Sequence, residues 1–335
     1  MSPLDQERTD QNPVLSMSLD LDNLWSYLKV HGDASWKVFP SYLEDLSSIV
    51  LERLAAHNLT ISVFVVGQDA DREENQPAIR AFSDAGHEIA NHSFHHEPWL
   101  HTYSPEELDT EIARAEEALS KVTDQPVRGF RGPGFSLSLE TLEVLAARGY
   151  QYDASTFPTF LGPLARAHYF RQSRSLTESE RAQRKRLFGK FSEGFRPLDP
   201  YIWTLGENRI VEIPVTTMPA LRLPFHLSYL LYIASKSRFL FRTYLRIALE
   251  MCRVTGTEPS FLLHPLDFLG GDRVSRLDFF PAMNLDTVTK LELFDFVVTT
   301  LKRRYTIVTM QGHARLACRR DRIARVSAEA AFAAR

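Results

Sequence analysis

Val14-Leu15-Ser16-Met17-Ser18-Leu19-Asp20-Leu21-Asp22, residues 14–22, starts as a short apolar run and ends in two acids. The run from Val14 to Leu19 reads as a buried strand whose C-terminal end carries polar groups. Alternate residues on a strand point to one face, so Asp20 and Asp22 lie on the same side. Outward from this stretch the pattern repeats. Tyr42 to His57 has helical periodicity through Leu43, Leu46, Ile49, Val50 and Leu54, and Thr60 to Val66 is a β-branched apolar strand. Pro77 to Ala85 reads as a helix stopped at Gly86, and His87 to Ala90 as a third strand. Ser104 and Glu107 form a capping box at the start of a helix running to about Lys121. Val127 to Phe130, Tyr150 to Asp153, Ile210 to Val215, Phe261 to His264 and Tyr305 to Met310 read as later strands, with a helix from Leu139 to Arg148. This alternation predicts parallel βα units in one α/β barrel, with active-site groups at the C-terminal ends of the strands.

Composition narrows the class. The 335 residues are 44% hydrophobic and 24% charged, ordinary for a globular chain with a sizeable core. A formal net charge of −3 gives no footprint for nucleic acid, whose partners are usually basic. The two cysteines, Cys252 and Cys318, are too few for a disulfide framework and read as reduced thiols. Met1 to Gln11 lacks the basic start and apolar core of a signal peptide, and no apolar run reaches the ~20 residues that span a bilayer. The expectation is a cytoplasmic protein. Its oligomeric state is not legible.

Four further groups carry candidate chemistry. His92 and His96 stand four apart in His92-Ser93-Phe94-His95-His96, a spacing that lets both imidazoles meet one zinc-like cation. Alone, such a pair is a weak signal. An acid from the Asp20/Asp22 pair could complete a two-His, one-carboxylate site, and the other could serve as general base, although each acid alone reads better as a helix cap or Asx-turn. The turn Arg128-Gly129-Phe130-Arg131-Gly132-Pro133-Gly134-Phe135-Ser136 can pair an arginine with a buried acid and present N–H groups to an oxyanion; alone it reads as a surface turn. Leu263-His264-Pro265-Leu266-Asp267 places a histidine at a strand end with an acid three residues on. That is a general acid oriented by Asp267, or a satisfied core histidine.

In this order the pieces resemble the polysaccharide deacetylase family, the NodB-homology domain of carbohydrate esterase family 4. The matching residues are Asp20/Asp22, His92-Ser93-Phe94-His95-His96, Arg131-Gly132-Pro133, Tyr152-Asp153-Ala154-Ser155 and Leu263-His264-Pro265, across about residues 14 to 310. The resemblance implies a single distorted (β/α) barrel of about seven strands with helical insertions. It implies that Asp22, His92 and His96 bind a divalent metal, zinc first, with cobalt, nickel, manganese or iron as alternatives. Asp20 is then the general base, Arg131 holds and tunes it, and His264 is the general acid. Gly134 supplies a backbone oxyanion donor, Leu263 lines the acyl pocket, and Asp153 supports the site through Arg131 or His264. The implied reaction removes an N-acyl group, acetyl foremost, from an amino sugar. Two features depart from the common family pattern: Leu21 separates the acids, and Gly134-Phe135-Ser136 follows the Arg-Gly-Pro turn. Both resemble a subgroup with D-x-D and R-x-P-x-F-S motifs that also holds hydrolases of cyclic amides, some of them metal-free. A cyclic-amide hydrolase and a catalytically silent glycan- or lipid-binding barrel are therefore the competing readings.

Residues 14–312 are read as the barrel, after an N-terminal extension over 1–13 and before a helical or frayed tail over 313–335. Two basic stretches, about 166–200 and 220–255, read as insertions. In the first, Leu187, Phe188, Phe191 and Phe195 stand beside Arg184, Lys185, Arg186 and Lys190. In the second, Arg238, Arg242 and Arg246 recur every four residues beside apolar neighbours. Such a helix suits a membrane surface or a lipid phosphate, which points to a lipid-phosphate-linked amino sugar at the inner face of the cytoplasmic membrane. The bland alternative is a helix packed on the barrel with a solvated arginine face.

Overall fold

Along the first strand, Leu15, Met17, Leu19 and Leu21 alternate with Ser16, Ser18 and Asp20, and all seven are buried. A strand buried on both faces belongs in the middle of a sheet covered on both sides. The computed structural model describes residues 12–162 and 191–333. Among these, one sheet holds β1 (Val14–Leu21), β2 (Ser62–Val65), β3 (Glu88–Asn91), β4 (Gly129–Phe130), β5 (Tyr152–Asp153), β6 (Tyr201–Leu205), β7 (Asn208–Glu212), β8 (Ser260–Leu263), β9 (Thr306–Val308) and β10 (Ala324–Ser327). The order is β10-β6-β7-β5-β4-β3-β2-β1-β8, with β9 also paired to β1. Every pair is parallel except β6 and β7, an antiparallel hairpin turning through Gly206 at φ 56°.

The helices are α1 (Leu24–His31), α2 (Leu43–Ala56), α3 (Gln76–Asp84), α4 (Pro105–Leu119), α5 (Leu139–Ala147), α6 (Leu227–Ala234), α7 (Arg238–Thr255), α8 (Thr287–Lys302), α9 (Met310–Cys318) and α10 (Ala328–Ala333), with one further turn at Gly67–Ala70. Their apolar stripes face the strands: Leu43, Leu46, Val50 and Leu54 of α2 are buried at helical spacing. The capping box is present on α4. Ser104 Oγ accepts from the Glu107 N–H at 3.2 Å, and Glu107 Oε2 accepts from the Ser104 N–H at 2.8 Å.

The ladder of named strands does not close on itself. The chain just past β7 nevertheless bridges the gap between β5 and β8. Ile213 donates to the Asp153 carbonyl at 2.9 Å, and Thr216 donates to the Ser260 carbonyl at 3.2 Å. Ser260 returns a bond to Thr216 Oγ1 at 2.7 Å. Strands β1 to β5, this bridge and β8 therefore ring a common interior, into which the strand ends deliver the polar groups described below.

Four regions differ from the sequence reading or lie outside it. The arginine-spaced segment over 220–255 is two helices, α6 and α7. The inner face of α7, with Phe241, Leu245, Ala248, Leu249 and Cys252, is buried in the main core. Past His313 the chain adds β10, paired to β6, and α10, whose Phe332 ring lies 5.9 Å from Trp203. This strand was missed because Ala324-Arg325-Val326-Ser327 is mostly exposed and lacks an apolar run. β6, Tyr-Ile-Trp-Thr-Leu, was missed because it directly follows the basic stretch. Residues 163–190, with Leu187, Phe188 and the basic residues Arg184, Lys185, Arg186 and Lys190, lie outside the described residues. Both cysteines are free, Cys252 buried and Cys318 exposed. Among the described residues, no helix is long and apolar enough to cross a membrane.

Candidate metal centre and active site

Four strand ends build the site. β1 ends at Leu21 and delivers Asp20 and Asp22. β3 ends at Asn91 and releases the chain into His92 to His96. β4 ends at Phe130, one residue before Arg131. β8 ends at Leu263, one residue before His264. This is the face on which a βα barrel gathers its chemistry.

Asp22, His92 and His96 each offer a ligand atom, and these atoms all lie within 4.8 Å of one another. Asp22 Oδ1 is 2.9 Å from His96 Nε2 and 3.4 Å from His92 Nε2, yet this buried oxygen makes no hydrogen bond. The donors converge without a proton aligned between them, which is the arrangement a cation would satisfy. His92 Nδ1 lies 2.7 Å from the Arg131 carbonyl. Donating its N–H there leaves Nε2 as a lone-pair donor facing Asp22. Burial works to raise the Asp22 carboxyl, but the imidazoles of His96 and His92 outweigh it and hold it well below the usual carboxylate range. Burial works to lower the His92 imidazole, and the charges of Asp20 and Asp22 outweigh that and raise it.

The histidine loop is held from behind. Ser93 and His96 both have left-handed backbones, at φ 61° and 54°. Such angles persist in non-glycine residues only when surroundings fix them. Here the carboxylate of Glu111, on α4, accepts from the N–H groups of Phe94 at 2.9 Å and His95 at 2.6 Å, and its other oxygen lies 2.6 Å from His95 Nδ1. Asn91 Oδ1 accepts from the Ser93 N–H at 2.8 Å, and Lys29 of α1 donates to the His95 carbonyl at 3.0 Å.

Arg131 is fully buried. Its Nη1 donates to Asp20 Oδ1 at 2.5 Å and to Ser18 Oγ at 3.0 Å, and its Nε donates to the Ala154 carbonyl at 3.0 Å. The guanidinium also lies 4.2 Å from the Phe64 ring. Asp153 does not touch it. Asp153 instead accepts from Ser155 Oγ at 2.6 Å, and Ser155 Oγ accepts from the Gly132 N–H at 2.8 Å, so Asp153 braces the turn after Arg131 through Ser155. In register with Asp153 stands Glu212 of β7. Burial pushes both carboxyls up, and the neighbouring Asp153 charge pushes Glu212 further. Gly134 follows Pro133 with φ 59°, its Cα facing Pro98.

His264 follows β8, which pairs with β1 on the edge opposite β2. Its N–H donates to Asp267 Oδ2 at 2.8 Å, whereas its ring Nδ1 lies 3.1 Å from Ser228 Oγ of α6. The Asp267 carboxylate thus holds the His264 backbone and is linked to the ring through the hydroxyl of Ser228, a serine from the insertion. Leu263 is fully buried, paired in register with Leu19.

Four groups here were not found from sequence. Tyr27 of α1 is set among Asp22, Asp267 and Asp20; burial first, then those charges, push its phenol well up, leaving a neutral donor. His226 has its ring 5.7 Å from that of His264, and burial lowers it well below the ordinary imidazole value. Ser228 comes from the insertion. Asp69 sits behind Trp25, whose ring is 6.4 Å from that of His96. Asp69 Oδ1 accepts from Asn23 at 2.7 Å, Trp25 Nε1 at 2.9 Å and Asn75 at 3.1 Å, and burial pushes its carboxyl up to about 7. None of the four lies in a short motif; their partners are distant in sequence.

Known proteins share part of this sequence and its fold. Residues 33–152 match the family profile described as polysaccharide deacetylase, a stretch that contains His92, His96 and Arg131 but neither the acids of β1 nor His264. The peptidoglycan-N-acetylmuramic acid deacetylase PdaA of Bacillus subtilis is 35% identical over 104 residues, 30% of this chain and 38% of that protein. A peptidoglycan-N-acetylglucosamine deacetylase of Bacillus cereus is 27% identical over 84 residues, 25% of this chain and 30% of that protein. The matched stretches thus span about a third of the length of these curated relatives. A crystal structure from Mycobacterium smegmatis, described as of a polysaccharide deacetylase, shares the fold, with a TM-score of 0.59 and 18% identity over 92% of this chain and 91% of that one. Over residues 33–152 the chain is thus similar to the polysaccharide deacetylase family, and it shares its fold with the Mycobacterium smegmatis protein.

Proposed function

We propose that this protein is a metal-dependent hydrolase that removes an N-acyl group, acetyl foremost, from an amino sugar. The observation that carries the reading is the convergence of three ligand atoms of Asp22, His92 and His96 within 4.8 Å, beside the Asp20–Arg131 pair. Asp22, His92 and His96 would hold a divalent cation. Such an ion supplies Lewis acidity, which makes a carbonyl more electrophilic and water more acidic.

The rest is work for the chain. Asp20 takes the proton from the water that attacks the acyl carbon, while Arg131 fixes the carboxylate and compensates its charge in a buried setting. The amide of Gly134 faces the oxygen on which negative charge develops. His264, its Nδ1 engaged by Ser228, keeps Nε2 for the nitrogen of the scissile bond and hands it a proton as the bond breaks. The products are a carboxylate and a free amine. Leu263 walls the space for the acyl methyl group.

The lipid-phosphate-linked form of the substrate has its own support. α6, which brings Ser228 to His264, also exposes Tyr232 at 48%, and α7 beside it exposes Phe239 at 75% and Leu240 at 55%. Arg238, Arg242 and Arg246 are exposed along the same helix. An apolar and cationic face next to the site suits an anionic bilayer, in the cytoplasmic setting expected from the sequence its inner leaflet. Flotation with phosphatidylglycerol vesicles at low salt tests this. Binding lost in Phe239→Ser/Arg242→Ser supports it, and a parent that stays unbound removes it.

The function itself is tested by acetate release from N-acetylated amino sugars, with the metal-loaded parent and with His264→Ala and Asp20→Asn. The proposal expects release by the parent and a loss of at least ~100-fold in each variant. Release from cyclic amides alone would move the chain to the competing reading.

A further inference from the structure

The arginines of the C-terminal stretch serve no group described so far. Arg315 and Arg319, on and just after α9, line a cleft of about 550 Å³ with Arg209 of β7, Arg325 of β10 and Arg320, the first four exposed. Tyr150, Ile202, Val211 and Ile323 supply apolar wall. Arg320 is paired with Glu258. Arg209, Arg315, Arg319 and Arg325 make no ion pair among the described residues, and Asp321 is the sole acid lining the cleft. In a chain of net charge −3, four unpaired guanidinium groups against one carboxylate in one concavity concentrate a field of one sign.

The cleft is separate from the metal centre. α9 begins where Met310 donates to Ser62 Oγ and Gln311 donates to Glu88 Oε2, at the first residues of β2 and β3. Arg209 is likewise near the start of β7, which runs parallel to β5. The cleft thus lies at the N-terminal ends of these strands, and the metal centre lies at their C-terminal ends.

We propose that this cleft is a binding site for a phosphate-bearing small molecule with a sugar-sized or apolar part. Guanidinium groups match phosphate oxygens through paired donors, and arginine is weakly hydrated enough to serve in a partly enclosed site. The volume falls within the ~300–1,000 Å³ of small-molecule pockets. Walls from three elements give the arginines different approach directions, as a multidentate anion requires. Ile323, half-buried in the wall of the cleft, meets the uncharged part.

Calorimetric titration of the full-length protein with inorganic pyrophosphate and with glucose 1-phosphate tests the site, with glucose and matched sodium chloride as controls. Saturable binding of a phosphate, weakened at least tenfold in both Arg315→Glu/Arg319→Glu and Arg209→Glu/Arg325→Glu, is the expected result. Acetate release should stay at the parent's level in both. If one double variant fails to fold, Arg319→Gln with circular dichroism as a fold check replaces it. Absence of phosphate binding, or binding unchanged in folded variants, overturns the proposal. So does arginine-dependent binding to phosphatidylglycerol vesicles without binding to soluble phosphates, which would make the cleft a membrane contact.

Discussion

Arg131 and Asp20 face each other with no access to solvent worth the name: their side chains are 0% and 6% exposed. Removing one member of such a pair strands the other's charge in a medium that cannot solvate it. Arg131→Ala should therefore lower stability by about 3–5 kcal/mol in urea denaturation, as well as disarming the base. A loss under ~1 kcal/mol, the value of a surface pair, would contradict the buried geometry. Asp69 makes a different prediction. Burial lifts its folded pKa to about 7, above the ordinary 3.8. Between those values the native state binds more protons than the unfolded chain. Its contribution to stability is therefore full below the unfolded pKa, falls as pH rises through this window, and is level above about 7. Asp69→Asn cannot titrate, so the drop in stability from pH 4 to pH 8 should shrink by on the order of 2–4 kcal/mol. Denaturation curves at several pH values would show it; an unchanged slope would place the charge elsewhere.

At the scale of elements, the His92–His96 loop depends on a helix that never touches the metal site. Glu111 of α4 gathers two backbone N–H groups and the His95 ring, holding a turn with two left-handed residues. Glu111→Gln keeps the shape but loses one acceptor and the charge, so metal affinity should fall ~10- to 100-fold while the fold stays intact. Competition titration against a chromophoric chelator measures this, and unchanged affinity would mean the loop holds itself. The same elements show what the sequence could tell. The β1 alternation, the His spacing and the Arg-Gly-Pro turn are local patterns, and each names its own residues. The partnerships are not local: Ser228 meets His264 across 36 residues, and Glu111 meets His95 across 16. Asp267 stands three residues from His264; it closes on that residue's backbone N–H and is linked to the ring through the Ser228 hydroxyl. β10 went unread because an exposed edge strand needs no apolar run to pair with β6.

For the molecule as a whole, the candidate metal ligands come from two separated parts of the chain, β1 and the loop after β3, so they meet only when the barrel is formed. Whatever binds there binds the folded state alone and must stabilise it by mass action, about 2.7 kcal/mol at a hundred times its dissociation constant. Melting temperature should thus climb with added zinc or cobalt in the parent and stay flat in Asp22→Ala. The most direct test of the account is the metal content of the protein purified without chelator, measured by elemental analysis beside Asp22→Ala and His92→Ala. The account predicts near one transition-metal ion per chain in the parent and little in either variant. A parent that is metal-free, and remains so after exposure to zinc and cobalt, would contradict it.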